Sequence, residues 1–399
     1  MPRKIVITGA SGFIGRQLVP RLAASGCELL VVGRNPNELA ALFPGIPNCT
    51  YEMIAERSQN FDFLVHLAVL NSDASSSVDE FKDANIDLVE ETLMAAKRAG
   101  IRGFVNLTTF HVFEENNSGY ANSKRVALET LENENDVTIL NIFLPAVYGD
   151  DFSGKLALVK KLPRFLQSTA LMFVSALAPT VHVQKLANVL IGEIGPEPEN
   201  IMLYNEQDQN PVYFAGKRLM DLLFAGAVIV LAGWLFAIIW VLVKTGSPGP
   251  GIFAQQRVGK SGVPFICYKF RTMKTGTKQA GTHELTADAI TGIGAFLRKT
   301  KIDELPQVFN ILRGELSLVG PRPSLPVQTE LIQARKAHEV FRVLPGITGL
   351  AQINGVDMSD PERLALLDAR YIAQRGLLLD LKIIFATFLG RGQGDKVRL

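Results

Sequence analysis

The first half of the chain is built from short unbroken apolar runs separated by longer amphipathic stretches. Ile5–Ile7, "CELLVV", "FDFLVHLAV" ending at His66–Ala68, and "RGFVNLTT" read as buried β-strands. Between them, "RQLVPRLAASG", "NIDLVEETLMAAKRAGI" and "YANSKRVALETLENE" place apolar residues at helical spacing. Strands alternating with helices predict an α/β domain around a parallel sheet. The pattern then changes. From Leu222 to Val243 no charge and no strongly polar side chain interrupts the run. As a helix these residues extend about 33 Å, enough to cross a bilayer core. Pro248 and Pro250 end that helix. Beyond them the clearest helical signal follows Leu305–Pro306, through Val308, Phe309 and Leu312.

The chain has 399 residues, 47% of them hydrophobic, which suffices for two domains with separate cores. A net charge of +2 gives no global attraction to nucleic acid, so nucleic acid is not expected as a partner. Cys27, Cys49 and Cys267 are odd in number and lack metal-type spacing, which argues against disulfides and structural zinc and fits a reducing compartment. The basic N-terminus leads into a short, glycine-broken apolar run, a first strand rather than a signal peptide. These shifts predict a nucleotide-binding domain over 1–210, a membrane-anchoring helix over 211–247 and a small, mostly α catalytic domain over 248–399.

Glycines at 9, 12 and 15 lie between the first strand and its helix, an arrangement that bares backbone N–H groups to a pyrophosphate. The second strand ends in Gly33–Arg34, where an acidic residue would hold the ribose of NAD; arginine there favours the 2′-phosphate of NADP(H), although a solvated surface arginine fits the same position. Tyr120 and Lys124 are four apart on one helical face, so the lysine can lower the phenol pKa and the tyrosine can exchange a proton. Together "TGASGFIG", "HLA", "LTTFHVF", Tyr120/Lys124, "LPAVYGDD" and "TVHVQKLANVL" resemble the extended short-chain dehydrogenase/reductases, the group of nucleotide-sugar epimerases, dehydratases and 4-keto reductases, over about residues 3–205. The resemblance implies a cofactor site at Gly9, Ser11, Gly12, Phe13, Ile14, Gly15, Arg34, Ala68 and Lys124. It also implies catalysis by Thr109, Tyr120 and Lys124. The chain departs from that family at Leu144, where an arginine is usual, at Phe113, near which a tyrosine is usual, and in a short substrate lobe after Gly149.

In the second half, Asp303 and Glu304 are adjacent at a helix start, a place where carboxylates commonly serve as caps. The nearby "GPRP", Gly320–Pro323, stiffens the backbone around Arg322 and presents a guanidinium suited to phosphate. Carboxylates beside such a clamp suggest a Mg²⁺ site or a nucleophile for phosphorus. Arg257, Lys260, Lys269, Arg271 and Lys274 form a basic set fit for lipid headgroups or a diphosphate. Residues 217–388 resemble the bacterial sugar transferases, monotopic polyprenyl-phosphate phosphoglycosyl transferases, through "KRLMDLL", "SPGPGIFAQQRVGKSGVPFICYKFRTM", "TGIGAFLRKTKIDELPQVFNIL", "GELSLVGPRP", "LPGITGLAQINGV" and "LDARYIAQRGLLLDLKIIFAT". The resemblance implies a Mg²⁺-dependent reaction in which Asp303 takes a phosphosugar from a UDP-sugar, releases UMP, and passes it to a polyprenyl (undecaprenyl) phosphate. Glu304 would assist as base or metal-side carboxylate, with Asp303 and Glu304 on the metal and Arg322, Arg257, Lys269 and Arg271 on phosphate. Ala289 and Val356 replace basic residues usual in that family.

A fusion of this kind is expected to modify a UDP-sugar and then load it onto a lipid. The favoured first step is NADPH-dependent reduction of a 4-keto sugar; the alternatives are an epimerase or dehydratase, or a non-catalytic nucleotide-binding module. Both chemistries draw on cytosolic substrates, which places both domains on the cytoplasmic side of the bacterial inner membrane, against inner-leaflet lipids; a homodimer is compatible with the sequence. The flanking cations Lys217, Arg218, Lys244, Arg257 and Lys260 agree with both helix ends lying inside. A re-entrant helix is therefore expected, with its break at Ala232–Gly233.

Overall fold

The computed structural model describes residues 2–68, 83–113, 119–192, 197–277 and 289–392. It contains two compact units: Met1–Val174 with Pro179–Glu206, and Ser175–Ala178 with Gln207–Leu399.

The first unit is organised on a seven-stranded sheet. In chain order its strands are β1 (Lys4–Thr8), β2 (Glu28–Val32), β3 (Asn48–Cys49), β4 (Phe63–His66), β5 (Gly103–Thr109) and β6 (Thr138–Leu144). A small parallel pair, β7 (Ala146–Tyr148) and β8 (Thr180–His182), lies apart, and β9 (Glu199–Met202) completes the main sheet. The order is β3-β2-β1-β4-β5-β6-β9, and every pairing is parallel. Alternate residues of β1 feed two cores. Ile5 and Ile7 pack with Leu18, Leu22 and Leu186 on one face, and Val6 packs with Val89, Leu93 and Leu131 on the other. The strand order reverses between β1 and β4, so a crevice opens at their C-terminal ends, where doubly wound sheets hold ligands.

The second unit is assembled along one helix of 36 residues, Pro211–Gly246, about 54 Å long at 1.5 Å per residue. Its remaining strands form a hairpin of β10 (Ile252–Val258) with β11 (Pro264–Phe270), and a short parallel pair of β12 (Ser317–Val319) with β13 (Gly346–Thr348). One stripe of the long helix is tied to these elements from end to end. Asn210 caps its first turn by accepting from Val212 and Tyr213 N–H. Lys217 Nζ donates to Asp380 at 2.8 Å and to the Val319 carbonyl at 2.9 Å. One turn later, buried Asp221 accepts from Leu318 N–H at 2.7 Å and from Ser317 Oγ at 3.0 Å. Ala225 then packs against Cys267, Ile311 and Leu316, and Ile239 and Val243 against Phe270 and Leu297.

The break expected at Ala232–Gly233 is absent: the helix runs unbroken through both residues. Neither residue removes a backbone N–H, a Cβ on Gly233 would touch nothing, and the helix is packed on either side of the point, at Val228 and at Leu235–Phe236. Two of the flanking cations taken to place the helix ends inside are committed to internal contacts. Lys217 is partly buried in the contacts above, and Arg218 donates to the Ile311 and Leu312 carbonyls at 2.7 and 2.9 Å. The opposite stripe, including Leu223, Val230, Leu231, Trp234 and Val241, is at least half exposed. Helix length and composition meet the requirement for crossing a membrane.

A backbone-to-backbone contact sets the position of the "GPRP" turn. Gly320 N–H donates to the Thr348 carbonyl, and Gly346 N–H to the Pro321 carbonyl, both at 2.8 Å. A Cβ on Gly320 would stand 2.5 Å from the Leu344 carbonyl oxygen. Gly320→Ala is therefore expected to lower stability by about 1–3 kcal/mol, the usual cost of forced overpacking, measured as a fall in Tm of detergent-solubilised protein.

Candidate active sites

The candidate nucleotide site of the first unit lies where "TGASG" meets "HLA". Gly9 has a positive φ of 66°, and a Cβ there would lie 2.5 Å from Ala68 N, so the two motifs pack backbone against backbone. Ser11, Phe13 and Ile14 are partly exposed around the turn. Gly12 is the N-cap of the helix Phe13–Ala24 and offers no side-chain cap, which leaves first-turn N–H groups for an anion. Gly15 sits too close to Ala10 to accept a side chain. The donor set thus fits a dinucleotide pyrophosphate. Arg34 is exposed just beyond β2. Half-buried Tyr51, absent from the sequence reading, places its hydroxyl on the Gly9 backbone in the field of Arg34, and burial pushes that phenol up.

Across the sheet, Thr109 ends β5, and its Oγ1 accepts from His111 N–H at 3.3 Å. Tyr120 and Lys124 lie one turn apart on the helix Gly119–Glu132. Lys124 is 1% exposed, and its Nζ reaches the Leu107 carbonyl at 3.4 Å. Among the described residues no carboxylate pairs with it, and burial pushes its ammonium down to about 7. The lysine is thus brought against β5 two residues before Thr109, with Tyr120 on the same helix.

The second site centres on a 3₁₀ turn, Ile302–Gln307, carrying Asp303 and Glu304. Neither carboxylate caps the helix Val308–Arg313 that follows, whose N-cap is Gln307. Glu304 Oε1 accepts from Lys269 Nζ at 2.6 Å and from Arg322 Nη2 at 3.2 Å. Burial opposes the charge on Glu304, but Lys269 and Arg322 overcome it and hold the carboxyl well below the usual carboxylate range. Asp303 has the opposite balance. Burial and the neighbouring Glu304 charge push it up to about 6, against the partial opposition of Lys269, Arg298 and Arg322. One carboxylate is locked as an anion, and the other sits poised near neutrality. Among the described residues no third His, Cys, Asp or Glu joins them in a metal-ligand group. The pair suits Mg²⁺, which takes one or two carboxylates and fills its other positions with water and phosphate oxygen.

The other expected phosphate ligands divide. Lys269 and Arg322 converge on Glu304. Arg257 donates to the Pro323 carbonyl at 2.9 Å and to Gln255, so it braces the "GPRP" turn. Arg271 is corrected to a structural role. It is 5% exposed and donates to the carbonyls of Pro248, Pro250 and Ser247 at 2.5–2.8 Å and of Val243 at 3.4 Å. Those contacts fasten the end of the long helix. Two residues absent from the sequence reading hold Arg322: Arg335 Nη1 donates to the Arg322 carbonyl at 2.8 Å while its Nε and Nη2 engage Asp368 at 2.9 and 2.7 Å.

Both members of the Arg335–Asp368 pair are buried. Asp368→Asn is expected to cost about 3–5 kcal/mol by leaving the guanidinium unpaired. Arg335→Met combined with Asp368→Leu should recover most of that loss. Thermal unfolding of both variants measures it.

Residues 212–391 match the bacterial sugar transferase family, and residues 5–171 match the NAD dependent epimerase/dehydratase family. The chain is 35% identical over 246 residues to the UDP-N-acetylgalactosamine-undecaprenyl-phosphate N-acetylgalactosaminephosphotransferase of Aeromonas hydrophila, a match spanning 60% of this chain and 56% of that protein. It is 37% identical over 195 residues to the exopolysaccharide production protein ExoY of Rhizobium meliloti, spanning 44% of this chain and 85% of that one. Among solved structures, the Bordetella bronchiseptica enzyme WbmG in complex with NAD aligns over 51% of this chain and 73% of its own, at 16% identity and a TM-score of 0.41. The chain belongs to the bacterial sugar transferase family, joined to an N-terminal domain of the NAD dependent epimerase/dehydratase family.

Proposed function

We propose that the second unit transfers a sugar 1-phosphate from a UDP-sugar to undecaprenyl phosphate, with Asp303 as the nucleophile. The observation that carries this reading is the division of the dyad: Glu304 is anchored by Lys269 and Arg322, and Asp303 is left beside it without a cation of its own at hydrogen-bond distance in the ion pairs above. An Asp303 oxygen attacks the phosphorus bearing the sugar, and the bond to the UMP oxygen breaks. A phosphate oxygen of the lipid then attacks the same phosphorus, forms the diphosphate and releases the carboxylate. Splitting the transfer in two replaces one difficult step by two easier ones. Arg322 and Lys269 stand where charge accumulates on the phosphoryl oxygens. Bound Mg²⁺ would neutralise diphosphate charge, held by Asp303 and Glu304. The similarity to the Aeromonas UDP-N-acetylgalactosamine-undecaprenyl-phosphate N-acetylgalactosaminephosphotransferase supports the substrate classes.

Asp303→Asn is expected to abolish UMP release. The acidic limb of the pH–rate profile should lie near pH 6, because Asp303 must be ionised to attack. The Glu304 charge raises the Asp303 pKa, so Glu304→Gln removes that charge and should move the limb of any residual activity to lower pH. A limb that stays put would remove Asp303 from the reaction.

For the first unit the reading is hydride transfer from NADPH to C4 of a UDP-4-keto sugar, with Tyr120 donating the proton to the oxygen. Buried Lys124 supports it, since a cation held near neutrality beside β5 can assist the phenol. Arg34 beyond β2 favours the phosphorylated cofactor. NADPH oxidation by the wild type with a UDP-4-keto sugar, lost in Tyr120→Phe, is the expected result. If the lipid-linked product is the same with Tyr120→Phe, the unit is a binding module.

The same reading places the protein at the cytoplasmic face of the inner membrane. A bilayer core is about 30 Å thick, and the long helix is packed to its own unit along nearly its whole length. Setting the helix upright would drag Asp221, Lys217 and Asp380 toward hydrocarbon, at high cost. The exposed stripe instead faces lipid while the packed stripe faces protein. Single cysteines at Gly216 and Gly246 are expected to label from the same side of sealed vesicles.

A further inference from the structure

The first unit carries an apolar surface that neither its fold nor its nucleotide site uses. From Phe152 to Leu177 the chain contains four cations, Lys155, Lys160, Lys161 and Arg164, and no Asp or Glu. The helix Arg164–Leu177 buries only Ala176. Phe165 is 77% exposed and Phe173 53%, eight residues apart and hence on one helical face. Leu158, on the preceding turn, is 70% exposed, and Leu162 and Leu166, close to it in sequence, are also exposed. All four cations are exposed around this patch. Lys160 is paired with Asp151 at 2.9 Å, a contact between two solvated side chains that a headgroup phosphate can replace.

We propose that residues 155–173 form a second membrane contact, by which the first unit binds an anionic bilayer surface. Aromatic and leucine side chains would enter the headgroup boundary while Lys155, Lys160, Lys161 and Arg164 meet lipid phosphates. Charge complementarity selects the occupant: a soluble partner of ordinary composition is not selected by four exposed cations, one of them in a solvated ion pair, beside exposed apolar side chains, whereas an anionic lipid surface meets both features at once. The inference rests on the anchoring role given above to the long helix, which keeps this segment within reach of a bilayer and so makes a weak interfacial contact effective.

The test uses the full chain in nanodiscs, with Cys27→Ser and an environment-sensitive fluorophore on Phe165→Cys, and the same fluorophore on Val230→Cys as a reference on the long helix. In discs containing phosphatidylglycerol, the label at 165 is expected to shift to the blue and to be quenched by spin-labelled lipid. Both effects should weaken in discs of phosphatidylcholine alone, at high salt, and in the Lys160→Gln, Lys161→Gln, Arg164→Gln variant. Quenching at 230 with none at 165 overturns this inference and leaves the anchor standing. Absence of quenching at both positions overturns the anchor as well. A blue shift at 165 that follows the number of protein copies per disc and ignores the lipid quencher assigns the patch to a second copy of the chain, and the proposal fails.

Discussion

The transferase unit depends on keeping one largely buried carboxylate charged. Glu304 lies in surroundings that would neutralise it, and only the convergence of Lys269 from β11 and Arg322 from the "GPRP" turn prevents that. Those cations come from distant parts of the chain, so the charge exists only when the unit is assembled. Its consequence falls on Asp303: a fixed anion next door, added to burial, raises the energy of a second negative charge. Glu304 takes both cations at hydrogen-bond distance, and among the described residues Asp303 has no such partner.

Every element that delivers those cations is tied to the long helix. Asp221 holds β12, whose end leads into Arg322, and Lys217 reaches the Val319 carbonyl at the same strand end. Arg218 closes the helix that follows the dyad, and Arg271 fastens the far end of the long helix from the strand region that bears Lys269. The long helix is therefore part of the framework around Asp303 and Glu304. A hydrophobic segment that served only to tether would show no charged residues at 217, 218 and 221 committed to partners 90 or more positions away.

Much of this was legible from local pattern. The glycine turn, Tyr120 with Lys124, the acidic dyad and the apolar run each consist of residues close in sequence, and each occurs where its spacing predicted. What escaped reading depends on distant partners or weak patterning. Strand β9, Glu199–Met202, is a partly exposed edge strand without an apolar run, so nothing in its sequence announces it. Arg271 looked like a phosphate ligand because a cation beside aromatics is ambiguous until the carbonyls it caps are known. Arg335 and Asp368 are 33 residues apart and meet only in the folded unit. The break at Ala232–Gly233 was borrowed from the family's usual geometry; the residues themselves had no means to produce it.

The two units show the same physics used in opposite directions. Lys124 is a buried cation without a described anion, pushed down to about 7, and Asp303 is a buried anion beside another anion, pushed up to about 6. Each site therefore holds a titratable group far from its solution value and close to neutral pH. Burial alone would do this to any ionisable group, and elsewhere in the chain the buried ions Asp380 and Arg335 are matched by partners at 2.8 and 2.7 Å. The contrast separates framework from chemistry. Where a buried charge is fully answered it holds the fold, and where it is left partly unanswered, beside Glu304 and the "GPRP" turn or on the helix that carries Tyr120, it is available to react.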